Sequence, residues 1–182
     1  MLTDLFIQSL RACGGEASSV GAAELPRALA ALVGAGGLVV VTPELESLAL
    51  ELAERGVECR VASRLGAGDA GLEADLRAAE VALTRGLVGI ARSGTVAVGP
   101  GGGNGGLLAA LAPRHVVLLG EEDIVDSLAH AMQVISERFH GLGGEAVFIT
   151  GPSRTADIEM LSVVGVHGPL GLHVVVVRRE AG

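Results

Sequence analysis

The chain has 182 residues, a formal net charge of −8 and 49% hydrophobic residues, with three Phe and no Trp or Tyr. That length suits one domain burying roughly 70% of its unfolded surface, and the acidic balance supplies no basic stripe for nucleic-acid phosphates. All 13 basic residues are Arg, which excludes Schiff-base chemistry, pyridoxal phosphate attachment and a Walker-A lysine.

Thr3 is placed to cap a first helix with Leu2, Phe6 and Leu10 on one side. Ala22 to Val33 repeats Leu25, Leu29 and Leu32 at helical spacing and ends on Gly34-Ala35-Gly36-Gly37. Residues up to about 35 therefore read as helices, ahead of an α/β core from about 37 to 178, all in one domain spanning 1–182. Leu38 to Val41 is an apolar, β-branched strand, and Thr42-Pro43 gives a helix cap followed by a first-turn proline. Leu45, Leu48, Ala49 and Leu52 form that helix's buried stripe, Gly56 stops it, and Val57 to Ala62 returns as a strand. Arg64 to Asp75 reads as a surface loop leading into a short helix. Val81 to Thr84 and Thr95 to Val98 read as strands, joined through Gly86 to Gly94 by a turn or short helix. His115 to Leu119 is a further strand, and Glu121, Glu122 and Asp123 are expected to open a long helix carrying Ile124, Leu128, Ala131, Met132 and Ile135 on one face. Val147 to Thr150 and His173 to Val177 complete the strands. Continuous apolar strands separated by helices predict an α/β fold, a mostly parallel sheet with helices on both faces.

No apolar run reaches the ~20 residues of a membrane span, and Met1-Leu2-Thr3-Asp4 lacks the basic start of a secretory signal, so a cytoplasmic location is expected. Cys13 and Cys59 form no C-x-x-C pair, and two cysteines fall short of the four ligands of a closed zinc or iron–sulfur site. Both read as small buried hydrophobes, with no metal site and no intrinsic cluster.

Gly101 to Gly106 satisfies G-x-G-x-x-G after a strand, with Glu121 about twenty residues on, as a dinucleotide site requires. Leu107 to Leu111 is too short for the helix of a parallel crossover before Ala112-Pro113, and five glycines in six residues match such a pattern cheaply. A surface loop over Gly99 to Gly106 is the expectation, and a nicotinamide-dependent dehydrogenase is the weakest functional reading.

A strand ending at Thr150 runs into Gly151-Pro152 and then presents Ser153, Arg154, Thr155, Asp157 and Glu159. Strand ends are where α/β sheets bind ligands. Hydroxyls of Ser153 and Thr155, local N–H groups and the planar fork of Arg154 suit carboxylate or phosphate oxygens. Asp157 and Glu159 suit ligand hydroxyls or proton exchange, and His167, in Gly165-Val166-His167-Gly168-Pro169, is a proton carrier near neutral pH. The alternative is an Arg154–Asp157 surface pair, a capped short helix and a turn histidine; composition and spacing leave both open.

Ile149-Thr150-Gly151-Pro152-Ser153-Arg154-Thr155-Ala156-Asp157-Ile158-Glu159, then Gly165 to Pro169 and Leu172-His173, resembles the LUD-domain family of lactate utilisation protein C. The resemblance extends more loosely from about Thr84 to Val177. It implies a fold like the ribose-phosphate isomerase and CoA-transferase group, and a non-redox, accessory role in oxidising L-lactate to pyruvate. It also implies two partners, an iron–sulfur oxidoreductase subunit and a ferredoxin-like protein carrying its own LUD domain, with a small anion or a cofactor of unknown identity bound here. The ligand-binding set is then Gly94, Thr95, Gly151, Ser153, Arg154, Thr155, Asp157, Glu159 and His167, with Asp157, Glu159 and His167 the catalytic candidates. Family members usually carry Ala-Glu-Thr-Gly-Thr where this chain has Ala91-Arg92-Ser93-Gly94-Thr95, so Arg92 reverses a charge. It either reshapes an anion pocket or pairs with a nearby acid. The rival function, by fold analogy, is a stand-alone enzyme acting on a phosphosugar, acyl-CoA or folate-like substrate.

Overall fold

The computed structural model describes residues 1–34, 37–62, 74–75, 77–99, 105–138, 146–152, 154–156, 162–164 and 168–179, with 154–156 and 162–164 as backbone alone. In chain order, α1 (Leu2–Ala12) precedes β1 (Glu16–Gly21), α2 (Leu25–Val33) precedes β2 (Leu38–Val41), and α3 (Glu46–Ala53) precedes β3 (Glu58–Val61). β4 (Val81–Ile90) and β5 (Thr95–Val98) follow, then α4 (Gly105–Leu111), β6 (Arg114–Gly120), the two-residue β7 (Ile124–Val125) and α5 (Leu128–Arg138). The described elements end with β8 (Val147–Ile149), β9 (Arg154–Ala156), β10 (Ser162–Val164) and β11 (Gly171–Arg178).

Six strands pair in parallel in the order β1-β11-β6-β4-β2-β3. Parallel strands need both faces covered, because a crossover helix lies between each pair. Side chains alternate between those faces. On one face Val39, Val41, Leu83, Val116, Leu118 and Val175 pack against Leu29 and Val33 of α2 and against Leu45, Leu48, Ala49 and Leu52. The predicted α3 stripe is thus the buried one. On the other face Val117, Leu119, Leu172, Val174 and Val176 lie under Phe6 and Leu10 of α1, and Leu38, Val40 and Ala82 under Leu108 and Ala112 of the α4 region. A fully buried Phe6 contributes about 1.5–3 kcal/mol of apolar transfer. Among the described residues no helix is long and apolar enough to cross a membrane.

Several local expectations are corrected. The N-terminal stretch is not wholly helical: Glu16–Gly21 is a strand, paired from Glu16↔His173 to Gly21↔Arg178 at the sheet edge. Its Ala and Ser residues lack a β-branched signature, and the pairing with β11, more than 150 residues away, decides the conformation. Thr3 does not cap α1; it lies inside the helix, and its hydroxyl donates to Glu121 Oε1 at 3.0 Å. Thr42 makes no cap bond either, its Oγ1 being buried without a partner while Pro43–Leu45 forms a 3₁₀ turn before α3. Glu121–Asp123 is also a 3₁₀ turn, and Ile124 and Val125 leave it as β7 to pair with Gly89 and Ile90, so the following helix starts only at Leu128. Cys13 and Cys59 are half-buried rather than buried. The loop expected from Arg64 lies, as far as residue 73, outside the described residues.

The largest correction concerns Gly86 to Ile90, which continues β4 instead of forming a turn. Val81 to Arg85 sits in the parallel sheet beside β6. Beyond a register shift between Gly86 and Val88, the strand pairs antiparallel with β5, and β5 pairs antiparallel with β8. This extension folds over the α1 face, bringing Val96 and Val98 into the cluster that holds Phe6 and Leu119. The glycines of the segment permit that approach. A Cβ on Gly89 would lie 2.6 Å from Leu119 Cδ2 and 3.2 Å from Phe6 Cε2, and one on Gly86 would lie 3.1 Å from both Leu119 and Val96.

Candidate functional site

The β4–β5 hairpin closes through Gly94, whose N–H donates to Ile90 O at 2.9 Å. Gly94 has φ +64°, and any Cβ there would collide with the backbone of Ser9 and Leu10 in α1. Antiparallel pairing sets Val96 opposite Ile149, which makes Thr150 the neighbour of Thr95. The chain then turns at Gly151, φ +75°, where a Cβ would strike the carbonyl of Cys13. Two left-handed glycines thus clamp the end of α1 between the hairpin and the strand leading into the predicted binding segment.

A short run of hydroxyls crosses this junction. Thr95 Oγ1 lies 2.7 Å from Ser93 Oγ and 2.7 Å from Thr150 Oγ1. Thr95 is buried while Ser93 and Thr150 are exposed, so the two outer hydroxyls face solvent from an anchored centre. Cys13 Sγ approaches Ser93 O at 3.8 Å. Each hydroxyl has one proton to donate and two lone pairs; the two bonds within the row use two of the three protons, so the row offers one neutral donor to an anion's oxygen and no acid or base of its own.

Of the predicted ligand set, Gly94, Thr95 and Gly151 meet here. Arg154 and Thr155 lie on β9, which pairs antiparallel with β10, Arg154 opposite Val164 and Thr155 opposite Val163. The short helix of the alternative reading gives way, over Arg154–Ala156, to a strand. Ser153, Asp157, Glu159 and His167 lie outside the described residues. Arg92 does not enter the junction. Its Nε donates to Asp126 Oδ1 at 2.8 Å in an exposed pair, and that hydrogen bond holds the Asp126 carboxyl below its ordinary value. The charge reversal in Ala91-Arg92-Ser93-Gly94-Thr95 is therefore a surface ion pair.

The glycine-rich stretch does not follow a parallel strand. It follows β5, which belongs to the antiparallel β4–β5–β8 group, and residues 105 and 106 already belong to α4. Residues 100–104 lie outside the described residues. A dinucleotide crossover joins adjacent parallel strands, whereas β5 and β6 are not paired.

Two histidines serve the sheet. His173 bridges Glu16 Oε2 through Nδ1 at 3.2 Å and Ser18 Oγ through Nε2 at 2.9 Å, tying β11 to β1. His115 is fully buried, with Nε2 2.8 Å from Thr84 Oγ1 and Nδ1 without a partner. Burial pushes its pKa down to about 4, so the ring is neutral at physiological pH.

Sequence reading missed a second feature, an open cleft of about 470 Å³ at the carboxyl ends of the parallel strands. Leu25, Leu45, Leu48, Leu118 and Val177 form its apolar wall, and Arg85, Arg179 and Glu122 its polar groups. Arg85 is paired with Leu118 across β4 and β6, and Val177 with Gly120 across β11 and β6. These residues alternate with Thr84, Val117 and Val176, so the cleft opens on the face opposite the Gly94–Gly151 junction. A signal existed in the sequence: the apolar runs ending at Thr84, Leu119 and Val177 are each followed within three residues by a charged residue lining the cleft.

Comparison with known proteins places these observations. The LUD-domain family model matches residues 3–177. Lactate utilization protein C of Geobacillus sp. (strain WCH70) is 37% identical over 102 residues, covering 54% of this chain and 42% of that protein. Lactate utilization protein C of Oceanobacillus iheyensis is 31% identical over 102 residues, covering 54% and 44%. These matches thus take in less than half the length of the curated relatives. A crystal structure of a DUF162 family protein from Deinococcus radiodurans superposes with a TM-score of 0.73 at 23% identity, covering 97% of this chain and 96% of that one. That likeness shows the fold.

Proposed function

The chain belongs to the LUD-domain family, and from that premise we propose that it is a non-redox component of a lactate utilisation system. The observation that carries this reading is the family match over residues 3–177 together with relatives bearing the name lactate utilization protein C. Oxidation of L-lactate to pyruvate removes two electrons and two protons from the carbinol carbon and its hydroxyl. In this proposal the electrons go to iron–sulfur centres in two partners, an oxidoreductase subunit and a ferredoxin-like LUD-domain protein. Cys59 lies on edge strand β3 and Cys13 at the end of α1 beside Ser93, which suits a chain that leaves the clusters to its partners.

The contribution of this chain is to hold a small anion. The hydroxyl row of Ser93, Thr95 and Thr150 supplies one neutral donor at the junction, held in place by the two bonds within the row. The segment running on from Gly151 adds Ser153, Arg154, Thr155 and Asp157 as the proposed charged and polar ligands, with Glu159 and His167 as further candidates. Arg suits this role because its planar fork matches a carboxylate in two hydrogen bonds.

Growth on L-lactate as sole carbon source tests the reading. In a strain lacking the gene and any redundant copy, growth is expected to fail, to return with the native chain, and to stay absent with Arg154→Gln. Unimpaired growth of the deletion strain overturns the proposal.

A further inference from the structure

We propose that the cleft at the carboxyl ends of the parallel strands is a second binding site, selective for an organic acid with an apolar body. It lies across the sheet from the Gly94–Gly151 junction and does not depend on the lactate reading.

The topology puts the cleft where α/β sheets bind ligands. After β2 the chain moves outward to β3, then returns to the other side of β2 as β4. Strand order reverses there: β2 runs into the turn before α3, while β4 runs on past Arg85 toward the opposite face. At about 470 Å³ the cleft falls within the ~300–1,000 Å³ of organic ligand sites. That is far more room than a three-carbon hydroxy acid fills.

Its lining sets the ligand chemistry. Leu45, Leu48 and Leu118 are buried in the sheet–helix layer and present an apolar floor, with Leu25 and Val177 half-buried at its sides. Arg85 and Arg179 are both exposed at the rim, and among the described residues neither makes an ion pair or side-chain hydrogen bond. Two unpaired guanidinium groups at the end of an apolar trough match a carboxylate or similar anionic head with a hydrocarbon or aromatic body. Glu122 stands at the same rim and accepts a hydrogen bond from a ligand hydroxyl or amine. Arg85 is the strongest single pointer. It follows four buried residues of β4 and keeps the register of Leu83 on the α2–α3 face, which carries its exposed guanidinium to the mouth of the cleft.

The test uses 1-anilinonaphthalene-8-sulfonate, an aromatic anion whose fluorescence rises on apolar burial; the absence of Trp and Tyr leaves its emission free of intrinsic background. One equivalent is expected to bind saturably to the native chain. Arg85→Gln combined with Arg179→Gln is expected to weaken binding at least tenfold, and Arg179→Gln alone by an intermediate factor. Arg55→Gln, on the surface after α3 and outside the cleft, is expected to change nothing. Octanoate is expected to displace the dye, while acetate at equal concentration leaves it bound. Unchanged binding in both Arg179→Gln and the double variant, an equal loss in Arg55→Gln, or failure of octanoate to compete overturns the proposal. Because the assay measures binding to the isolated chain, its failure leaves the growth test untouched, and the reverse also holds.

Discussion

The two halves of β4 answer to different neighbours. Val81 to Arg85 is flanked by β2 and β6 in the parallel sheet, with its burial shared between two helical layers. Gly86 to Ile90 leaves that sheet, takes antiparallel β5 on one side and two residues of β7 on the other, and folds over α1. The first half is fixed by generic apolar packing, which tolerates similar side chains. The second half depends on particular small residues, because its backbone lies against the side chains of Leu119 and Phe6, and the turn that follows it meets the α1 backbone at Gly94. The anchored end of the proposed anion site lies in this second region.

That contrast is broken most directly at Gly94. Gly94→Ala would force a left-handed conformation on an L-residue and drive its methyl into the α1 backbone. The two effects together are expected to cost roughly 2–5 kcal/mol in urea denaturation. Gly56→Ala is the control, since Gly56 has φ +82° but nothing within 4 Å of the added Cβ; about 1–2 kcal/mol is expected there. Equal losses at the two positions would show that close contact with α1 does not matter.

His115 tests the first half of β4, where its ring meets Thr84. Its folded pKa of about 4 lies below the ordinary 6.5. Between those values the unfolded chain binds a proton that the folded chain refuses, so the contribution is complete above pH 6.5 and is lost as pH falls toward 4. The full loss is about 3 kcal/mol, on the order of two to three pKa units of differential protonation. Denaturation midpoints between pH 7 and pH 4 should fall more steeply for the native chain than for His115→Gln. Parallel curves would mean that the ring protonates in place. The smallest effect is expected at Arg92, whose pair with Asp126 is exposed. Arg92→Gln should leave the denaturation midpoint unchanged, and a clear drop would assign the hairpin tip a structural ion pair after all.

Much of the architecture was legible. The β2–α3–β3 unit follows from contiguous residues: Leu38 to Val41, then the stripe Leu45, Leu48, Ala49 and Leu52. The resemblance carried by Ile149 to Glu159 placed the chain in the family that the match over residues 3–177 establishes. The site was legible only in part. Gly94, Thr95 and Gly151 were named from the motif, but nothing local to them reveals that they enclose the end of α1.

Local pattern and motif by themselves determined the α/β class, the buried stripe of α3 and the family, because each is written in residues close together in the chain, whereas Leu128 and Met132 of the stripe expected on α5 are exposed. Tertiary structure alone decided that Glu16–Gly21 is a strand, that β4 runs on through two glycines, that Arg92 faces Asp126, and that Arg85 and Arg179 share a cleft. Apart from the β4–β5 hairpin, whose strands are close in the chain, each of those outcomes depends on a partner tens of residues away or more. Short-range propensities amount to a few tenths of a kcal/mol per residue, and long-range packing outweighs them.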